Sequence, residues 1–193
     1  MKSIFTVFVA FFLSHISATC FTTMEPREAE TCADPSLASL YISVFSSTRT
    51  AHVIRSQTDM IAADTTNGNT DNWQFQGPSF LAWITPQEFT VPFYQLTSPA
   101  TGAKSDFIFL PAVNSSAPTA PGFSVQGIVG YAYSTQICGS VPLFSASNAA
   151  AADHWWTTSQ SDHDALLATE TGWVDAGIPF YVLPLASSCT CSV

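Results

Sequence analysis

The sequence predicts a mostly β fold, α+β only through short peripheral helices. Three repeats of ~50 residues would stand about a pseudo-threefold axis and close into a single domain. Three observations carry this. An aromatic residue followed four positions later by glycine recurs as Trp73–Gly77, Phe123–Gly127 and Trp173–Gly177, and the steps from 73 to 123 to 173 are 50 residues each. Around these marks, short runs of Val, Ile, Phe, Tyr and Trp are bounded by Pro, Gly and Ser, the pattern of strands and turns. A unit of this length is also too small to bury its own aromatics, and an open stack of three would leave apolar ends.

Each unit opens on an aromatic strand: "SLYISV" with Tyr41, "VPFYQL" with Phe93 and Tyr94, "VPLFSA" with Phe144. A second strand follows in "AHVIRS", "SDFIFL" and "DHWWTT". A short helix comes next. In the third unit Ser161 reads as its N-cap, Asp164 as the capping-box partner, "ALLA" as the apolar face and Gly172 as the stop. The first unit has a poorer version in "SQTDMIAAD", and the second has "PAVNSSAPTAP", which cannot be a regular helix. A last aromatic strand closes each unit: "SFLAWITP" with Trp83, "GIVGYAYS" with Tyr131, "GIPFYVLP" with Tyr181. The units run about 37–86, 90–137 and 140–186 within one domain over 37–193. Trp73, Gly77, Phe123, Gly127, Trp173, Gly177 and Tyr181 are read as structural positions of the repeat, with the aromatics in the core.

Lys2, the apolar run Ile4 to Leu13 and the small and polar "SHISATC" read as a secretory signal over 1–18, followed by an N-terminal segment over 19–36. The apolar run is shorter than the ~20 residues needed to cross a bilayer. The expected product is secreted, extracellular and not membrane-embedded. Loss of Lys2 lowers Lys plus Arg from 5 to 4 against 14 acids, so the net charge moves from −9 to about −10. Four cations among so many anions argue against a nucleic-acid partner. Charged residues are 10% and aromatics 13%, so the surface is polar through Ser, Thr, Asn and Gln, which suits neutral ligands such as sugars.

An extracellular chain oxidises its cysteines. Cys32, Cys138, Cys189 and Cys191 are the disulfide candidates, and a closed ring favours Cys32 with Cys189 or Cys191 as a clasp between the chain ends. Asn114, in "NSS", is a candidate glycosylation site on a surface loop.

The densest chemistry is "DHWWTTSQSDHDAL", residues 153–166. A metal would need Asp153, His154, Asp162, His163 and Asp164 to converge. Neighbours at a helix start point apart, and strand alternation sends His154 and Trp155 to opposite faces. No metal and no cofactor is expected. Catalysis would need a nucleophile elbow, a metalloprotease helix or a carboxylate pair held across a substrate, and neither motif occurs. The residue types instead suit a neutral sugar. Trp155 or Trp156, whichever faces outward, would be the stacking platform, with Asp153, His154 and Thr157 as hydrogen-bonders.

The third unit, "VPLFSASNAAAADHWWTTSQSDHDALLATETGWVDAGIPFYVLP", resembles a repeat of secreted fungal and bacterial proteins known as a domain of unknown function, with a signature near PLYRLYNPxTxDHFYTTxxxExxxALxxxGYxxEGxxGYV. Asp153 to Thr158 match DHFYTT, and Gly172, Trp173, Gly177 and Tyr181 match the later positions. The first unit keeps His52 in "HVIRS", while the second has Asp106 with no histidine in "DFIFL". Similar bacterial modules sit beside cell-wall or glycan-degrading domains, which implies attachment to carbohydrate or a cell-wall polysaccharide. The sequence reading is thus a secreted, non-catalytic glycan- or surface-binding module. Its rivals are a structural or protein-interaction protein and an uncharacterised hydrolase.

Overall fold

The structure, a computed structural model, describes residues 32–66, 70–98 and 104–185. The signal reading and the candidates Cys189 and Cys191 lie outside the described residues. The chain is mostly β, as predicted. β1 (Ser39–Ser46) is the centre of an antiparallel sheet, flanked by β2 (Ala51–Ser56) and β3 (Trp73–Ala82), with α1 (Gln57–Thr66) between those two in sequence. β4 (Val91–Thr97) holds the same central place between β5 (Phe107–Pro111) and β6 (Ser124–Ala132), with the proline-rich stretch and no helix in between. In the third sheet β7 (Val141–Pro142) leads into β8 (Phe144–Asn148), which lies between β9 (Asp153–Thr157) and β10 (Val174–Gly177). α2 (Gln160–Thr169) joins β9 to β10, and β11 (Tyr181–Val182) pairs with β7. Across the break between β10 and β11, Leu143 still donates its N–H to the Phe180 carbonyl at 3.1 Å. No sheet among the described residues closes into a barrel.

The recurring glycines have a local cause. Each return strand carries a β-bulge: the register against the central strand skips Gln76 in β3, Gln126 in β6 and Ala176 in β10. The next residue is Gly77, Gly127 or Gly177, with φ of 148°, 149° and 83°. Side chains disfavour that backbone region, so a bulge of this shape selects glycine.

The ends of the three sheets meet through paired backbone hydrogen bonds. Leu81 exchanges bonds with Leu183, Tyr131 with Trp83, and Tyr181 with Tyr133, all between 2.7 and 3.1 Å. Beneath these bridges Trp83 and Tyr133 meet edge to face at 5.2 Å, packed with Leu183 and Ala33. The larger core lies further in, where Phe80 stacks on Tyr41 at 5.1 Å and Phe180 on Phe93 at 4.5 Å. Gly130 has no room for a side chain there: a Cβ would collide with the Tyr41 hydroxyl and approach Phe93 Cζ to 2.6 Å. Burial, and secondarily the Asp59 charge, push the Tyr41 phenol well above its ordinary range. It therefore donates as a neutral O–H, to the Val129 carbonyl at 2.7 Å.

The clasp differs from expectation. Cys32 bonds to Cys138, not to the C-terminal pair, with Cα atoms 5.7 Å apart. The reason is the path of the chain before β1. Ala33 donates to the Tyr133 hydroxyl at 3.0 Å and Trp83 Nε1 donates to the Asp34 carbonyl at 2.7 Å, which lays this segment beside the loop after β6. Two further expectations need correction. The cap of α2 is Ser159, whose hydroxyl accepts the Asp162 N–H at 3.3 Å, rather than Ser161, because β9 stops at Thr157 and the helix starts at Gln160. Trp73, Phe123 and Trp173 are half-buried rather than fully buried, and of the three Trp73 packs against the main core. They begin or directly precede the return strands, at the rim, where they cover specific partners.

Candidate functional site

Strands β2, β5 and β9 lie against one another. Ladder register sets which residues correspond: His52 opposes Phe45 and His154 opposes Ser147, each one step inside the first pair of its hairpin, while Phe107 opposes Thr97 in the last ladder pair, beyond which Ser98 donates its N–H to the Asp106 carbonyl at 3.0 Å. His52 Nδ1 lies 2.7 Å from Asp153 Oδ2, and the His52 backbone N–H donates to Asp153 Oδ1 at 2.8 Å. His154 Nδ1 lies 2.9 Å from both oxygens of Asp106. Each histidine is thus held by the aspartate of a neighbouring sheet. Each is also covered by that sheet's rim aromatic: Trp173 meets the edge of His52 and Phe123 that of His154, both at 6.5 Å.

The third junction carries neither partner. Phe107 stands at the histidine position, Ala51 at the aspartate position, and both are buried in one apolar cluster. Trp73 covers Phe107 at 6.2 Å as the other rim aromatics cover the histidines. The second sheet without this histidine and the first without this aspartate thus meet at one junction. An aspartate without its histidine would be a carboxylate facing a phenyl ring, which is costly to bury.

His52 also meets its surroundings at Nε2, 3.2 Å from the Gln76 amide nitrogen. With that amide donating to Nε2, Nδ1 carries the hydrogen given to Asp153. Gln76 Oε1 in turn accepts from Ser43 Oγ at 3.2 Å. His163 is engaged elsewhere: it is buried, and its Nε2 lies 3.2 Å from the Ser145 carbonyl oxygen. Within residues 153–164, Asp153 and His154 turn to other sheets, while His163 Nδ1 lies 3.6 Å from Asp164 Oδ1 and its Nε2 3.4 Å from Asp175 Oδ1. Among the described residues no three His, Cys, Asp or Glu side chains gather in a geometry suited to a metal ion.

Between β9 and the return strand of the first sheet runs an open groove of about 360 Å³. Trp155, Thr157, Thr158, Ser159 and Asp162 form one wall, and Ser43 with the bulge Gln76 to Ser79 forms the other. Trp155 is half-buried on this groove. Trp156 points mainly inward, 3% exposed, its ring against Phe109 at 4.8 Å and near His154 at 6.1 Å. Thr157 Oγ1 accepts the Ser159 N–H at 3.0 Å, which leaves its own O–H to donate. The groove brings together Trp155, Thr157 and the edge of Trp156. It does not include Asp153 or His154, which are spent between the sheets.

A profile described as a domain of unknown function (DUF5648) matches residues 42–183. The chain belongs to this family. No curated protein and no solved structure matches it. The family region runs from inside β1 to the Leu81–Leu183 bridge, so it takes in all three sheets and every groove-lining residue except Leu185. Cys32 and the chain before β1 lie outside it. Within the family region, sequence reading missed the far wall, Ser43 and Gln76 to Ser79. The one visible signal was Gly77, whose bulge turns that wall toward Trp155.

Proposed function

We propose that this is a secreted, non-catalytic module of three like units about a pseudo-threefold axis, which holds a neutral carbohydrate in the groove over Trp155. The unit reading is supported by three sheets of one strand order, by bulges 50 residues apart at Gln76, Gln126 and Ala176, and by the bridges that link the sheet ends in a cycle. The binding reading rests chiefly on one observation. A half-buried tryptophan faces an open groove rimmed by Ser43, Ser79, Thr157, Thr158, Ser159 and the Asp162 carboxylate. An indole face takes the C–H side of a sugar ring, while hydroxyls and a carboxylate exchange hydrogen bonds with its O–H groups. The volume lies within the ~300–1,000 Å³ of small-ligand sites.

The test is a neutral-glycan array probed with the mature protein and its Trp155→Ala form. Binding to at least one neutral glycan is expected, with loss of about tenfold or more in affinity in Trp155→Ala, on the scale of a stacked ring. No bound glycan, or binding unchanged by the substitution, overturns the proposal.

A further inference from the structure

The two described arginines lie at the junction of the first and second sheets and are served very differently. Arg49 is ion-paired, with Nε 2.8 Å from Asp71 Oδ1 though not aligned for a hydrogen bond, and its Nη1 donates to Ser105 Oγ at 3.1 Å. Arg55 is half-buried and lines an open groove of about 530 Å³ with Asp59, Gln95, Gln126 and the backbone from Gly127 to Val129. Its Nη2 donates to Gln95 Oε1 at 3.0 Å, and Gln95 is itself buried, so the guanidinium is fixed in place. Among the described residues no carboxylate comes within ion-pair distance of it. Burial lowers its pKa, with the Asp59 charge acting in the opposite sense from further off. A guanidinium presents five N–H donors in a planar fork that fits a carboxylate with two parallel bonds. With Nη2 given to Gln95, the other donors of this guanidinium are available to a ligand in the groove it lines.

This groove is walled like the one over Trp155. Its bulge residues Gln126, Gly127 and Val129 stand 50 positions after Gln76, Gly77 and Ser79, and Arg55 takes the ladder position that Thr157 takes there. The corresponding space between the second and third sheets is only about 100 Å³, lined by Ile108, Leu110, Ser145, His154, Trp156 and Pro179 among others.

We propose that the Arg55 groove is a second, separate binding site, for an acidic sugar of the uronate class. The ligand carboxylate takes the Arg55 fork, and its ring hydroxyls take Gln126 and the Asp59 carboxylate. The mixture of groups selects this class. A neutral sugar would bring no carboxylate to the fork, while a bare anion would leave Gln126 and the Asp59 carboxylate no hydroxyl to hold. The site is at another junction from Trp155 and does not depend on that groove binding anything.

Calorimetric titration with a galacturonate tetramer, and with its fully methyl-esterified form, tests this. The acid form binds and the ester, which keeps every ring hydroxyl but no charge, binds about tenfold more weakly or worse, on the scale of charged hydrogen bonds. Arg55→Gln removes the preference for the acid, and Trp155→Ala leaves it intact. Gln126→Ala, at an exposed position, weakens acid binding without touching the core, and serves if Arg55→Gln does not fold. No binding of the acid, equal binding of acid and ester, or an unchanged titration in Arg55→Gln (in Gln126→Ala, if Arg55→Gln does not fold) overturns the proposal. Loss of acid binding in Trp155→Ala overturns the separateness of the site. The Trp155 proposal is read on neutral glycans and stands or falls independently.

Discussion

Asp153 shows how a residue that reads as a ligand can be fully occupied by the fold. Both of its oxygens serve His52, one at the ring and one at the backbone N–H. Asp153→Ala strips two bonds from a largely buried histidine, so a loss of about 1–3 kcal/mol is expected in denaturant unfolding. Adding His52→Phe copies the Phe107 and Ala51 arrangement of the third junction and returns part of that loss. Two additive losses across the cycle would contradict the pairing. The two tryptophans divide in the same spirit. Trp156→Ala removes a core ring and costs about 3–5 kcal/mol, whereas Trp155→Ala changes binding and leaves stability nearly intact. The sequence displayed the letters of this motif and the alternation that separates Trp155 from Trp156. It did not display the partners, because these bonds span 101 and 48 residues between different sheets.

Among elements, the bulged return strands do the most positioning. Each bulge swings a short stretch of backbone outward next to the neighbouring second strand, and the open grooves lie between the two. The bulge glycines, the second strands and the helix-free second sheet were legible from spacing, β-branched content and proline. The α2 cap was misplaced by two residues because Ser159 and Ser161 are equally good caps in isolation, and only the end of β9 decides between them. Gly130 was invisible as a packing position, since its meaning comes from Tyr41 and Phe93. Gly130→Ala should lower stability by about 1–3 kcal/mol through overpacking, measured as a shifted denaturant midpoint at constant slope. A neutral outcome would mean that the two rings yield without cost.

On the scale of the whole molecule, the cyclic bridges between Leu81 and Leu183, Trp83 and Tyr131, and Tyr133 and Tyr181 tie the three sheets together, and the Cys32–Cys138 bond straps the leading segment across them. That bond closes a span of 106 residues, so Cys32→Ala with Cys138→Ala should cost about 2–5 kcal/mol in thermal or denaturant unfolding. The pairing was not legible because nothing local marks where the segment before β1 runs; Trp83 and Tyr133 set that path from far along the chain. The aspartate and histidine positions join the sheets, and the binding role proposed for Trp155 is separate from them. Neutral-glycan binding by three forms of the protein tests this most directly: wild type, Trp155→Ala, and the paired His52→Phe with Asp153→Ala. The paired form is expected to keep the wild-type glycan profile while Trp155→Ala loses it. A profile lost in the paired, folded form but kept in Trp155→Ala would contradict it.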